Sequence, residues 1–146
     1  MLMGMVFLAG SVMYVQAYYS NEVTEDYSNT TKDISKEIIV ENCKELNLED
    51  TVSCLTGSII PFYKYRIISD SIQLTFTQLV NTGGDCVEWS RLINEMALEL
   101  GFNSEINKVV LSGKGPSAFH NFVTISNGEG WCLVTTGKEE LIRQCF

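Results

Sequence analysis

A chain of 146 residues has the length of one domain with a well-buried core, and apolar and charged shares of 45% and 19% exclude both a disordered chain and a multispan membrane protein. A formal net charge of −8 excludes nucleic acid as the expected partner, because phosphate backbones are bound by lysine- and arginine-rich surfaces. Much of the acid lies between Glu22 and Asp50, where Lys32, Lys36 and Lys44 are the only bases, and it reads as a solvated face.

Residues 1–17, MLMGMVFLAGSVMYVQA, form an apolar run without a charge. Its length suits the apolar region of a secretory signal better than a full membrane span, and Val15 and Ala17 put small residues where a signal peptidase cuts. The positive head of such signals is missing, since the first basic residue is Lys32. That leaves an uncleaved membrane anchor, or a start upstream of Met1, as alternatives to cleavage. Export by one of these routes, which places the remaining chain outside the cytoplasm, secreted or held at the cell envelope, is preferred to a buried N-terminal helix. Residues 18–31 are polar and read as a linker, with a glycosylation sequon at Asn29-Thr30-Thr31. Residues 32–146 are the expected folded domain.

From Lys32 the pattern turns helical, with Ile34, Ile38, Cys43 and Leu46 loosely three to four apart. Asn47 is suited to cap a second helix carrying Leu48, Val52, Leu55 and Ile59, and Pro61 should end or bend it. Tyr63 to Leu79 shows no clear period and reads as mostly irregular. Gly83-Gly84 then makes a turn, and Asp85 followed by Glu88 gives capping-box spacing for a helix that starts at Cys86. Trp89, Leu92, Ile93, Met96 and Leu100 share one face of that helix, and Gly101 stops it.

Beyond Gly101 the chain changes character. Lys108 to Leu111, Phe119 to Ile125 and Trp131 to Thr135 are short β-type runs, and Ser126-Asn127-Gly128-Glu129-Gly130 should turn the last two into an antiparallel hairpin. The expected class is α+β: N-terminal helices and a cysteine-bearing helix packed on an antiparallel sheet.

Five cysteines fit an exported chain with one thiol left over. Two bonds among five thiols can be drawn in about fifteen ways, and five reduced thiols are the cytosolic alternative. The preferred pairing is Cys43–Cys54 and Cys132–Cys145, leaving Cys86 free. Two short antiparallel helices would bring Cys43 and Cys54 together, whereas one continuous helix would hold them apart. The chain has one histidine and no Cys-x-x-Cys pair, so neither a metal nor a cofactor is expected.

Cys86 falls in the first turn of its helix, where unpaired N–H groups and the helix dipole favour a thiolate and can also stabilise an oxyanion. Many cysteines so placed do nothing chemical. His120 lies on a run that should join the sheet beneath this helix, a scaffold on which cysteine and histidine can meet. By their own physics these two residues make a candidate pair; a lone histidine in an apolar strand is more often a packing residue.

Two stretches resemble the transglutaminase-like superfamily, which shares a papain-like cysteine-hydrolase core. The first is Gly83-Gly84-Asp85-Cys86-Val87-Glu88-Trp89-Ser90 with its apolar helix and the closing Leu100-Gly101-Phe102. The second is His120-Asn121-Phe122-Val123-Thr124-Ile125, a glycine-containing turn, then Trp131. Phe62-Tyr63-Lys64-Tyr65 and Thr77 to Leu79 resemble that family's approach to its cysteine. The resemblance covers about Val52 to Thr135. It implies Cys86 as nucleophile, His120 as general acid/base and a peptide or protein substrate.

The family's third catalytic residue, usually Asp, stands four positions past the Trp. Here that position is Thr135, which accepts a hydrogen bond but brings no charge to a developing imidazolium. Asn127 and Thr136 are the alternative orienting groups. Trp89 and Trp131 are expected either to line the cleft or to pack in the core. Two functions follow: thiol-dependent acyl transfer, chiefly hydrolysis, or a non-catalytic surface module with a degraded triad. Nothing in the sequence sets the oligomeric state.

Overall fold

The computed structural model describes residues 34–68, 73–111 and 119–146. The leader, the linker and the sequon lie outside these residues. The chain divides into two units, Met1–Ile34 and Ser35–Phe146, and the second carries every element described below.

Among the described residues four helices precede four strands: α1 (Lys36–Asn42), α2 (Leu48–Ile59), α3 (Phe76–Thr82) and α4 (Cys86–Glu99), then β1 (Asn103–Val110), β2 (Phe119–Ser126), β3 (Trp131–Thr136) and β4 (Leu141–Cys145). The strands form one antiparallel sheet in sequence order, so the domain is α+β. Side-chain caps set the helix starts. Ser35 caps α1, whose first residue Lys36 lies four past the expected onset at Lys32, and the Asn47 side chain caps α2 by accepting from the Asp50 N–H. Ile60–Phe62 tightens to a 3₁₀ turn at Pro61, which ends α2 as expected.

Two elements went unforeseen. Helix α3 starts inside the stretch read as irregular, Tyr63 to Leu79, and runs on to Thr82, opening with a complete capping box between Thr75 and Gln78. Strand β4 closes the sheet, pairing with β3 from Cys132↔Cys145 to Thr136↔Leu141.

The core fills the space between α2, α4 and one sheet face. Trp89, Ile93 and Met96 from α4 and Val52, Leu55 and Ile59 from α2 are buried against Val123, Ile125, Cys132 and Val134. The acids of α1, α2 and their connection, Glu37, Glu41, Glu45, Glu49 and Asp50, are all exposed, as a solvated face requires. Among the described residues no helix is long and apolar enough to cross a membrane.

Disulfides join Cys43–Cys54 and Cys132–Cys145, and Cys86 is free. The first ties the end of α1 to α2 and the second ties β3 to β4, so each braces a short element whose own core contacts are few. Two such bonds are compatible with an oxidising, extracellular environment. Peptide mapping without reduction should return both pairs, each contributing about 2–4 kcal/mol. Recovery of Cys86 in a disulfide-linked peptide would overturn this pairing.

Candidate active site

The site grows from the turn before α4. Gly83 adopts φ +78°, and a Cβ there would sit 2.7 Å from the Lys64 carbonyl oxygen. At Gly84 a Cβ would meet the Leu79 side chain at 2.4 Å. Gly83 is therefore needed for the turn to pass the Lys64–Tyr65 segment, whereas a side chain at Gly84 would have to displace the end of Leu79. That segment is fastened by Gly84 N–H to Lys64 O at 3.1 Å and Arg66 N–H to Gly84 O at 2.9 Å. Tyr65 pairs with Gly84 as an isolated parallel bridge. The Trp89 indole N–H donates to the same Lys64 carbonyl at 3.0 Å, locking the segment to the first turn of α4.

Asp85 caps α4, its Oδ1 accepting from the N–H groups of Val87 at 2.9 Å and Glu88 at 3.3 Å. The reciprocal half of the expected capping box is absent. The Glu88 carboxylate instead accepts from Arg91 and from the Leu74 N–H, joining α4 to the chain before α3. Cys86 is thus the first residue of a capped helix, with 5% of its surface exposed.

The aromatic residues beside the thiol are Tyr63 and Tyr65. Burial raises the Tyr65 hydroxyl above its ordinary value, followed by the Cys86 charge, a hydrogen bond with the Cys86 thiol and the Asp85 charge; the Cys86 backbone N–H pulls the other way. Tyr63 is pushed up further, mainly by burial, and donates its hydroxyl to Gly137 O at 2.6 Å. Sequence reasoning missed Tyr65 as a neighbour of the thiol, although Phe62-Tyr63-Lys64-Tyr65 was visible as part of the approach to Cys86.

Beneath the first turn of α4, Thr136 Oγ1 lies 3.4 Å from the Cys86 carbonyl oxygen, 3.4 Å from the Asn121 carbonyl oxygen and 3.3 Å from Ser90 Oγ. This buried hydroxyl pins α4 to β2 and β3 together.

Strand alternation then sorts the remaining candidates. Asn121, Val123 and Ile125 on β2, with Cys132, Val134 and Thr136 on β3, form the buried set under the helices. His120 belongs to the alternate set of β2, with Phe122 and Thr124. The register Phe122↔Thr135 puts Thr135 in that same set, as a diagonal neighbour of His120. His120 and Thr135 therefore share a sheet face, while Cys86 reaches the sheet through Thr136 on the other.

His120 is half-buried, and burial lowers its pKa from 6.5, so the neutral imidazole prevails near neutral pH. Its Nε2 is buried and has no hydrogen-bond partner among the described residues, Thr135 included.

Asn127, the other suggested orienting group, lies at the β2–β3 turn, where its Oδ1 accepts from the N–H groups of Glu129 and Gly130. Trp89 is fully buried and Trp131 is 45% exposed, stacked on Phe146 with ring centroids 4.4 Å apart. Surface cavities beside the Cys132–Cys145 bond and around Arg91 are lined by residues other than Cys86, His120 and Thr135. Comparison with family models, with curated proteins and with solved structures finds no match.

Proposed function

We propose that the chain is a thiol-dependent acyl transferase of transglutaminase-like type, acting chiefly as a hydrolase on peptide or amide substrates outside the cytoplasm. The observation that carries this reading is the placement of the one thiol outside the two disulfides: Cys86 opens a 14-residue helix, with the Tyr65 hydroxyl against it. A helix N-terminus favours the thiolate and offers N–H groups to an oxyanion. His120, kept neutral by burial and with a ring nitrogen free of partners among the described residues, has the protonation state a base needs.

This mechanism requires the His120 ring to reach Cys86 from the opposite sheet face; His120 then takes the thiol proton and the sulfur attacks the substrate carbonyl carbon. The carbon–nitrogen or carbon–oxygen bond then breaks, and the leaving group receives the proton from the imidazolium. Water, deprotonated by His120, attacks the thioester, releases the acid and restores the thiol. Thr135 is the weak orienting group of this scheme, and the two disulfides suit an exported protein.

A second reading, a non-catalytic module that binds peptide or envelope polymer, draws on a specific observation. His120 and Thr135 occupy the sheet face opposite the one that Cys86 touches through Thr136. Steady-state hydrolysis of a peptide amide and of a p-nitrophenyl ester separates the two. The hydrolase predicts turnover by wild type that Cys86→Ala and His120→Ala each reduce at least about 100-fold, the usual contribution of a positioned base. Equal rates for all three proteins would favour the binding module.

A further inference from the structure

The two edges of the sheet differ. Strand β4 has five residues, is tied to β3 by the Cys132–Cys145 bond and lies against α2, where Arg143 donates to Thr56 Oγ1. Strand β1 has eight residues and pairs with β2 in one unbroken register, with neither a proline nor a bulge. Among the described residues nothing pairs with its outer side. Such an edge presents a row of backbone N–H and C=O groups to any strand that approaches.

The side chains of β1 leave this edge open. Ile106, Val109 and Val110 are exposed, as is Leu111 just beyond them. Asn107 is turned back onto β2, donating to Thr124 Oγ1 at 3.0 Å. Lys108, the kind of residue that guards an edge, is also drawn across the sheet, its Nζ 3.9 Å from the centre of the Phe119 ring.

Charge selects the occupant. The chain carries −8, and an exposed row of its acids sits on α1, α2 and their connection, while α2 packs chiefly on β3 and β4. The acids of α4, the helix over β1 and β2, are paired with Lys36 or Arg91. Strand β1 is itself neutral, with Glu105 and Lys108 as its charges. Two copies of this acidic chain therefore meet with least repulsion along β1.

We propose that β1 pairs with β1 of a second copy, antiparallel about a twofold axis centred on Asn107, joining the two sheets into one. In this register Glu105 faces Val109 and Ile106 faces Lys108, so no like charges stand opposite each other; a centre on Glu105 or Lys108 would oppose them. Strands of this length make about eight backbone hydrogen bonds, within the range of a standard interface. The dimer is independent of the hydrolase reading.

The test is sedimentation equilibrium of the full chain with both disulfides intact, at concentrations up to about 1 mM, where even weak specific pairs associate. Wild type should show a concentration-dependent dimer. Ile106→Lys sets an ammonium against Lys108 twice in each dimer and should raise Kd at least about tenfold. Ile106→Glu sets a carboxylate there and should bind at least about tenfold more tightly than Ile106→Lys. On the other sheet face Val109 opposes Glu105, so the signs reverse: Val109→Glu should weaken the dimer and Val109→Lys should bind more tightly than Val109→Glu. A wild type still monomeric at about 1 mM would overturn the proposal and leave the edge to a strand of another protein. Association that none of the four variants changes would also overturn it, since it would run through another surface. Equal weakening by Ile106→Lys and Ile106→Glu would overturn the centre on Asn107.

Discussion

Trp89→Ala is expected to destabilise the domain by about 3–5 kcal/mol, a large share of what holds a domain of this size folded. The ring has no exposed surface and packs on Tyr63 at 4.9 Å between centroids. Truncation removes its transfer energy and leaves a cavity between α4 and the sheet that rigid strands cannot close. It also removes the indole hydrogen bond to the Lys64 carbonyl, one of the fastenings of the Tyr65–Gly84 bridge. The turn that presents Cys86 should loosen even where the fold survives, so alkylation of Cys86 should accelerate. Trp131→Ala supplies the contrast: the ring is half-exposed and stacked on Phe146, and its loss should cost about 1 kcal/mol. Urea denaturation of the three proteins measures both values. Similar midpoints for Trp89→Ala and Trp131→Ala would contradict the assignment of Trp89 to the core.

Thr135→Asp should raise kcat about tenfold or more under the hydrolase reading, since each 1.36 kcal/mol of barrier carries that factor. The argument is electrostatic. Burial holds His120 neutral, and nothing in the scheme compensates the positive charge it acquires when it takes the thiol proton. A carboxylate at position 135, on the same sheet face and diagonal to His120, would favour the imidazolium. The His120 titration, followed by NMR, should move upward together with the rate. A folded Thr135→Asp that is no faster, beside a wild type well above the Cys86→Ala blank, would assign the orientation of His120 to another residue.

Much of the architecture was legible because it rests on local chemistry. Asp85 before Cys86 announced the start of α4, and Asn47 that of α2, since a capping side chain acts within a few residues of itself. The expected Cys43–Cys54 pair followed from separating α1 and α2, which the break at Asn47 achieves. Helix α3 was missed although Thr75 and Gln78 stood at capping-box spacing, because seven residues give too short a run for an apolar period to emerge. Strand β4, Leu141-Ile142-Arg143-Gln144-Cys145, mixes apolar and polar residues on both phases and takes its form from pairing with β3. Glu88 had the spacing to reach back to Asp85, but its carboxylate accepts from Arg91 and the Leu74 N–H instead.

At the site, residue types were readable and facing was not. Phe122 and Val123 are both apolar, so the sequence leaves open which phase of β2 turns toward the helices. Burial of Val123 and Ile125 resolves it, and with it the face on which His120 and Asn121 each stand. Tyr65 was hidden for a different reason. Its neighbourhood with Cys86 arises from the hydrogen bonds of Lys64 and Arg66 to Gly84, a contact between segments far apart along the chain.

The claim that Cys86 forms an acyl intermediate is tested most directly by intact-protein mass spectrometry after mixing with p-nitrophenyl acetate. The hydrolase reading predicts a burst of nitrophenol and a single acetyl adduct on Cys86, decaying as turnover proceeds and absent from Cys86→Ala. An adduct confined to lysines, or one formed equally by Cys86→Ala, would contradict it.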